Sequence, residues 1–565
     1  MARTVGIGNQ DFATIIENNL FYVDKTSFIK EWWESFDNTT LITRPRRFGK
    51  TLTLSMLNYF FSVEYAGKGE LFDGLSIWQY KEFRELQGTY PVIFLSFADI
   101  KENTFEKTYE KICQNIFDLY LRFEYILSSD RLRSSAEYYQ EIKHSLLRAE
   151  NTAYASSALQ SLTTFLYTYY EKKVIILLDE YDTPLQEAYV YGYWDELVMF
   201  TRGLFNATFK TNPYLERALM TGITRVSKES IFSDLNHLKV VTTTTEKYMT
   251  AFGFTKEEVS AALAEYELTD KEDEVKRWYD GFTFGSVTDI YNPWSIINYL
   301  DSKRFSAYWA NSSSNLLVST LLQTGDISIK NHFQDLINEK TICCSLDEEI
   351  IYSQLDENEN AIWSLLLASG YLKLTSMPCF EDEEPAYYLA LTNFEVLRMM
   401  RGLIKGWFRK SSTNYNNFIT ALLNDDIAYM NTFLNEISVS IASNFDSGTK
   451  PSERAPEKFY HGLVLGLIVE LSDRYHITSN RESGFGRYDV MMEPLEQSLP
   501  AYIFEFKVMN KTDGEQTLED TADAALGQIE NKAYATELIS RGFSPKQIHK
   551  FGFAFQGKSV LIKRG

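Results

Sequence analysis

Short, unbroken apolar runs dominate the first 225 residues. The segment TTLIT (39–43) is a buried strand, and Leu52, Met56, Tyr59 and Phe60 then recur at helical spacing on one face. YPVIFLSFADI (90–100), KKVIILLDEYDTPL (172–185) and RALMTGITR (217–225) are continuous apolar runs. Strands buried on both faces read this way, so they are expected as central parallel strands. Residues 10–36 and the stretches between the runs carry helical periodicity, and the alternation predicts a doubly wound α/β domain over residues 1–248.

Beyond residue 250 the pattern changes. TKEEVSAALAEY and NPWSIINYL read as short helices around the aromatic turn WYDGFTFG, giving a helical lid over 249–310. Within a mostly helical middle region, 311–443, residues 360–393 suggest a winged-helix-like unit. It comprises a helix AIWSLLLASGYL, a strand KLTSM, a turn PCFEDEEPA and a returning strand YYLALT. A wing that binds DNA needs positive charge, and this one carries Glu381, Asp382, Glu383 and Glu384, so packing or regulation is the expected role. The stretch NFDSGTKPSERAPE (444–457) has linker composition and opens the last domain, 444–565.

Composition fits a multi-domain globular chain: 565 residues, 44% hydrophobic and 24% charged. The net charge of -21 argues against non-specific coating of nucleic acid or anionic membrane. Residues 531–565 are an exception, with seven Lys or Arg against the single acid Glu537; such a tail could meet a phosphate backbone, although a solvated basic face is the commoner reading. Four cysteines without a C-x-x-C pair and six scattered histidines predict neither a disulfide framework nor a zinc site. No signal core and no apolar run near the length of a bilayer span are found, so a cytoplasmic protein without a membrane partner is expected.

The chemistry begins at RPRRFGKT. In a phosphate loop, consecutive N–H groups and a helix N-terminus face the anion, a lysine reaches the outer phosphates and a hydroxyl holds Mg²⁺. Gly49, Lys50 and Thr51 supply the second half of that motif, but Arg44 stands where its first glycine belongs. Downstream, VIILLDE ends in Asp179 and Glu180, an acid to support Mg²⁺ and a neighbour to orient the attacking water. Both motifs follow predicted strands, in the right order.

RPRRFGKTLTLSML, LLDEYDTPL, MTGITRVSKESIFSDLN and YNPWSI resemble the bacterial AAA-ATPase-like family over roughly residues 5–300, and that family carries the same arginine variant. The resemblance implies an ATP site with Mg²⁺, in which Arg44, Arg46, Arg47, Gly49, Lys50 and Thr51 meet nucleotide. Thr51 and Asp179 hold the metal, and Glu180 orients water. Thr221 is then a sensor candidate, and Arg225 meets the γ-phosphate in cis or across a subunit boundary, which would make the protein a homo-oligomer. A well-formed charged contact from Arg44 would add phosphate affinity in place of a glycine-built turn.

In GRYDVMMEP (486–494) and AYIFEFKV (501–508), strand alternation puts Glu505 and Lys507 on one face of a hairpin, with Asp489 on the neighbouring strand able to join them. Two carboxylates and an ammonium can hold a divalent ion and a water beside a phosphodiester, and equally can form a plain ion pair. Downstream, DAALGQIENKAY presents Gln528 and Lys532 on one helical face. Residues 457–565 resemble the PD-(D/E)XK nuclease superfamily, with its restriction-endonuclease-like fold. The likeness implies Asp489 and Glu505 as ligands of Mg²⁺ or Mn²⁺, Lys507 as the catalytic lysine, Glu457 as a further ligand, and Gln528 and Lys532 as contacts to DNA.

Together these readings predict an ATP-binding and ATP-hydrolysing protein coupled to a metal-dependent DNA nuclease domain. The alternative is a nucleotide-dependent switch whose nuclease-like domain binds nucleic acid or a protein without cleaving.

Overall fold

The computed structural model describes residues 2–210, 212–224, 231–232, 235, 237–310, 327–346, 359–376, 379–381, 384–407, 415–444, 464, 468, 471, 474–483, 486–510, 514–556 and 559–565. The chain divides into two compact units, Met1–Leu317 with Thr341–Val396, and Val318–Lys340 with Leu397–Gly565. This partition cuts across the expected boundaries. The winged segment belongs with the first unit, whereas residues 397–443 belong with the C-terminal sheet.

The first unit is built on a five-stranded parallel sheet of β1 (Thr39–Thr43), β2 (Val92–Ser96), β3 (Val174–Asp179), β4 (Leu215–Gly222) and β5 (Leu238–Val241), in the order β2-β3-β4-β1-β5. Every residue of β1 and β3 is buried, as their unbroken apolar runs require. Each Ile or Leu so enclosed contributes about 1.5–3 kcal/mol of burial free energy. The order has a consequence for chemistry. β4 lies between β1 and β3, so its tip stands between the loop that follows β1 and the acids that end β3. The short β5 was not anticipated. It pairs with β1 and closes the far edge.

Helices Lys256–Glu265, Glu272–Tyr279 and Pro293–Ser302 share a core of Phe254, Val259, Leu263, Val275, Tyr279, Ile296 and Tyr299. The hairpin of β6 (Phe282–Phe284) and β7 (Val287–Ile290) lies between them in sequence. In the winged segment the helix is Glu359–Ala368, and β9 (Leu372–Leu374) pairs with the long β11 (Glu384–Leu391). Part of the expected turn is itself a strand, β10 (Cys379–Glu381), paired with β11. The unforeseen β8 (Ile342–Cys344) completes that sheet. Asp382 and Glu383 lie outside the described residues.

The second unit carries a five-stranded sheet of β12 (Tyr475–Ser483), β13 (Gly486–Pro494), β14 (Ala501–Val508), β15 (Ile548–Gln556) and β16 (Ser559–Arg564), neighbours in that order. All pairs are antiparallel except β14 with β15. Helix Leu518–Asn531 connects that parallel pair and shares a core with Met491, Ile503 and Ile548 through Ile529. Tyr502, Phe504 and Phe506 point to the opposite face, where they stack with Phe551, Phe553 and Phe555. The edge strand β16 is closed by helix Ile427–Asn444. Asn431 pairs its side-chain amide with the N–H and C=O of Ile562 (2.7 and 3.0 Å), and Asn435 does the same with Val560 (3.0 and 2.7 Å). An open edge would template pairing with another chain, and two asparagines one turn apart remove that opportunity.

Candidate functional site

Helix Lys50–Phe61 begins directly after Gly49, whose φ of 81° is the left-handed conformation that glycine adopts without penalty. The loop packs three arginines with different fates. Arg46 and Arg47 line a cavity of about 670 Å³ together with Gly49, Lys50, Thr51 and Glu180. Arg46 donates to Gln186 (3.2 Å), and Arg47 lies over the Trp294 ring at 4.5 Å.

Arg44 corrects the expectation of a phosphate contact. It is fully buried and absent from the cavity wall. Its guanidinium donates to the carbonyls of Thr43 (2.9 Å) and Thr242 (2.7 Å) and stacks on Phe284 at 4.4 Å. Burial without a carboxylate partner lowers its pKa to about 9. Meanwhile its own N–H donates to the Gly222 carbonyl at the tip of β4 (3.1 Å). The backbone N–H thus ties the loop's first residue to β4, and the guanidinium adds a tie to the Thr242 carbonyl just beyond β5, which glycine cannot supply.

Lys50 is also buried, and its ammonium donates to the carbonyls of Arg44 (2.8 Å) and Pro45 (2.9 Å). Burial lowers its pKa, while Glu180, Asp179 and Asp182 oppose that shift.

Three sequence-distant residues meet at the strand tips. Thr51 Oγ1 donates to one oxygen of Asp179 (2.6 Å), and Thr221 Oγ1 donates to the other (2.5 Å). Burial raises the Asp179 pKa, and the two hydroxyls pull it back. Glu180, next along, lines the cavity and holds φ at +49°, unusual for a side chain with a Cβ and costing of order 1–3 kcal/mol. Its N–H reaches Thr221 Oγ1 (3.4 Å), and Thr183 donates to its carboxylate (3.0 Å). The structure therefore brings Lys50, Thr51, Asp179, Glu180 and Thr221 together. Arg225 lies outside the described residues.

Several contributors escaped the sequence reading. Asp182, fully buried, accepts from the N–H groups of Ile223 and Thr224 and from the Thr224 hydroxyl, all at 2.9 Å, and so ties the β3 tip to the β4 tip. The last acid of DEYD was its only signal. Val5, Gly6, Gly8–Gln10, Asp99 and Lys101 also line the cavity without any mark in their local sequence, and Trp294 lines it from within YNPWSI.

In the C-terminal unit, Val490 stands opposite Phe504, which sets Asp489 beside Glu505 on adjacent strands. Strand alternation puts Asp489, Glu505 and Lys507 on the face that carries Met491 and Ile503, toward helix Leu518–Asn531. Glu505 is 2% exposed and takes a hydrogen bond from the Gln528 amide, which also reaches the Tyr534 hydroxyl (3.3 Å). Asp489 accepts from the Phe506 N–H (2.8 Å). Gln528 therefore braces a carboxylate, while Lys532 caps the helix C-terminus and is exposed. Glu457 lies outside the described residues. Basic residues of the tail are largely paired: Lys550 with Glu530, Lys563 with Asp523, Arg541 with Glu493 and Glu537, and Arg564 with Asp425. Four of the seven basic residues of the tail thus face acids among the described residues.

Residues 6–232 match the family described as "Predicted AAA-ATPase", and residues 455–565 match the PD-(D/E)XK nuclease superfamily. The chain carries an AAA-ATPase-like domain and a PD-(D/E)XK superfamily domain. An "Uncharacterized protein in vnfD 5'region" from Azotobacter chroococcum mcd 1 is 24% identical to it over 574 residues, covering 99% of this chain and 98% of that protein. The AAA-ATPase-like match spans the loop, the acidic strand and the β4 tip. The PD-(D/E)XK match spans all five C-terminal strands. No helix of the described residues is long and apolar enough to cross a membrane.

Both sites offer hard oxygen donors of the kind Mg²⁺ takes: a threonine hydroxyl with an aspartate in the first, two carboxylates in the second. Among the described residues no group of three or more His, Cys, Asp or Glu converges on one point.

Proposed function

We propose that the protein binds and hydrolyses ATP with Mg²⁺ at the AAA-ATPase-like domain, and that this activity controls a metal-dependent DNA nuclease in its PD-(D/E)XK domain. The observation that carries the reading is the Thr51–Asp179–Thr221 chain, in which Asp179 and Thr221 are buried and Thr51 lines a cavity together with Lys50 and Glu180.

Thr51 and Asp179 would hold Mg²⁺, which supplies charge neutralisation between the outer phosphates. Lys50 would turn from its two carbonyls to the phosphate oxygens. Glu180 would accept a proton from the attacking water, and Thr221 keeps Asp179 and the Glu180 backbone aligned. In the PD-(D/E)XK domain, Asp489 and Glu505 would be the metal ligands and Lys507 would counter charge on the scissile phosphate. Arg46 and Arg47 add positive charge at the cavity wall. The work takes place in a cytoplasmic setting, and a homo-oligomer fits an Arg225 that serves a neighbouring site.

A second reading, in which the PD-(D/E)XK domain binds DNA or a protein without cutting, draws support from Gln528 donating to Glu505 at the candidate metal position. Purified protein incubated with labelled single- and double-stranded DNA, Mg²⁺ or Mn²⁺, with and without ATP, tests both. ATP-dependent cleavage supports the leading reading, and DNA retention without cleavage supports the second.

A further inference from the structure

An anion-binding loop works only if its N–H groups face the ligand and its carbonyls turn away, since a carbonyl dipole aimed at phosphate repels it. In this loop three successive carbonyls are accounted for. Those of Arg44 and Pro45 accept from Lys50. That of Arg46 accepts from two side chains far along the chain, the Asn292 amide (3.3 Å) and the Trp309 indole N–H (3.0 Å).

The two sets of partners differ in permanence. Lys50 is the group a phosphate would recruit, and when it turns, the carbonyls of Arg44 and Pro45 lose their donor. The Arg46 carbonyl, by contrast, keeps its clamp of two donors when Lys50 turns, so its orientation does not depend on the lysine. That clamp is itself built into a buried frame. Asn292 is fully buried, and its other amide atom caps helix Pro293–Ser302 by accepting from Ser295 N–H (3.3 Å). Trp309 is 3% exposed, with its ring between Phe282 and Tyr371 (5.5 Å each), and its backbone N–H donates to Glu395 (2.6 Å). Glu395 also accepts from Ser295 Oγ (2.8 Å), closing a circuit between the two clamp residues. On the loop side, Phe48 packs on Phe282 at 4.8 Å, so ring contacts continue the same frame.

We infer that Asn292 and Trp309, held by Glu395, are positioning residues for the phosphate loop: they keep the Arg46 carbonyl turned out so that the loop N–H groups can receive a nucleoside di- or triphosphate. All three lie outside the segment that matches the AAA-ATPase-like family. The inference rests on the proposed ATP site.

The test is ATP and ADP titration of the full chain by calorimetry, alongside thermal unfolding, for the parent, Asn292→Asp, Trp309→Phe and the double variant. Asn292→Asp keeps the acceptor that caps the helix but puts an oxygen against the Arg46 carbonyl. Trp309→Phe keeps an aromatic ring but removes the N–H. Each single variant is expected to weaken ATP and ADP about five- to tenfold, from one hydrogen bond lost to a common acceptor. The double variant should lose less than the product of the two, because both act on one carbonyl. Trp309→Phe should keep the parent's melting temperature within a few degrees, whereas Asn292→Asp, which sets a carboxylate at a fully buried position against a carbonyl, should lower it. Affinities within twofold of the parent in both single variants overturn the inference and leave the ATP site standing. A loss in Trp309→Phe that appears only with a matching fall in melting temperature also overturns it, since it would report general unfolding. A parent that binds neither nucleotide overturns the ATP reading and this inference with it.

Discussion

The strand tips of the AAA-ATPase-like domain and the β13–β14 hairpin of the PD-(D/E)XK domain solve the same problem in two ways. Each buries a carboxylate, Asp179 or Glu505, and each satisfies it with neutral donors: two threonine hydroxyls in one case, a glutamine amide in the other. At the first site the motif lysine leaves the acid to the hydroxyls, because Lys50 donates to the loop carbonyls of Arg44 and Pro45. A buried acid paired to a lysine gains a fixed partner but loses its readiness to take a metal. Neutral donors leave the negative charge for an incoming cation.

The sheets differ in how they gather these groups. A parallel sheet points all its strand ends one way, so residues 51, 179 and 221 converge although the chain between them is long. The antiparallel hairpin brings Asp489 beside Glu505 from 16 positions away.

Four changes would break or sharpen that comparison. The largest effect is expected from Glu180→Gln, which removes the base and leaves the phosphate contacts. ATP hydrolysis should fall roughly 100- to 1,000-fold, the scale of losing a positioned proton acceptor, with nucleotide affinity unchanged by calorimetry. Retained turnover would remove Glu180 from the chemistry. Lys507→Ala should abolish DNA cleavage by a comparable factor while Mn²⁺ still binds. A large fall in melting temperature without metal binding by the parent would falsify the nuclease assignment and leave a structural ion pair.

Arg44→Gly restores the usual glycine but strips a buried guanidinium from its carbonyls and from Phe284. About 3 kcal/mol of unfolding free energy should go, measured by denaturant titration. Arg44→Lys should recover little of it, because an ammonium lacks the planar fork that stacks on the ring. Unchanged stability would show that the arginine is a tolerated substitution.

The smallest effect concerns Glu395, whose pKa burial raises to about 7. The folded chain then holds this proton more tightly than the unfolded chain, so the contribution is complete below the ordinary carboxyl value and is lost as pH rises through about 7. Stability should drop by about 1–2 kcal/mol between pH 6 and 8, and Glu395→Gln should flatten that step. An identical step in the variant would assign it to another group.

What the sequence disclosed follows the same division. Continuous apolar runs announced β1 and β3, and the acids at the end of VIILLDE stood where a strand tip must be. Alternation in GRYDVMMEP and AYIFEFKV placed Asp489, Glu505 and Lys507 on one face, because strand side chains keep a period of two. Arg44 misled for a physical reason. Its charge reads as a phosphate contact, and only the buried carbonyls of Thr43 and Thr242 with the Phe284 ring reveal it as a clamp. Trp309 and Glu395 carried no sequence signal, and Asn292 was visible only as part of YNPWSI, because their roles come from contacts across 263, 86 and 246 residues, which no local pattern encodes. Strands β5, β8 and β12 were missed where short or polar segments gain order from a neighbouring strand, not from their own composition.

The most direct test of the nucleotide site is calorimetric titration of ATP with Mg²⁺ into the full chain and into Lys50→Ala. Lys50 is the one group in the loop held ready on exchangeable carbonyl contacts. Its loss should weaken ATP binding roughly 100-fold, the upper range for a charged hydrogen-bond donor, without lowering the melting temperature by more than a few degrees. Equal affinity in the two proteins, or no binding by the parent, would contradict the account.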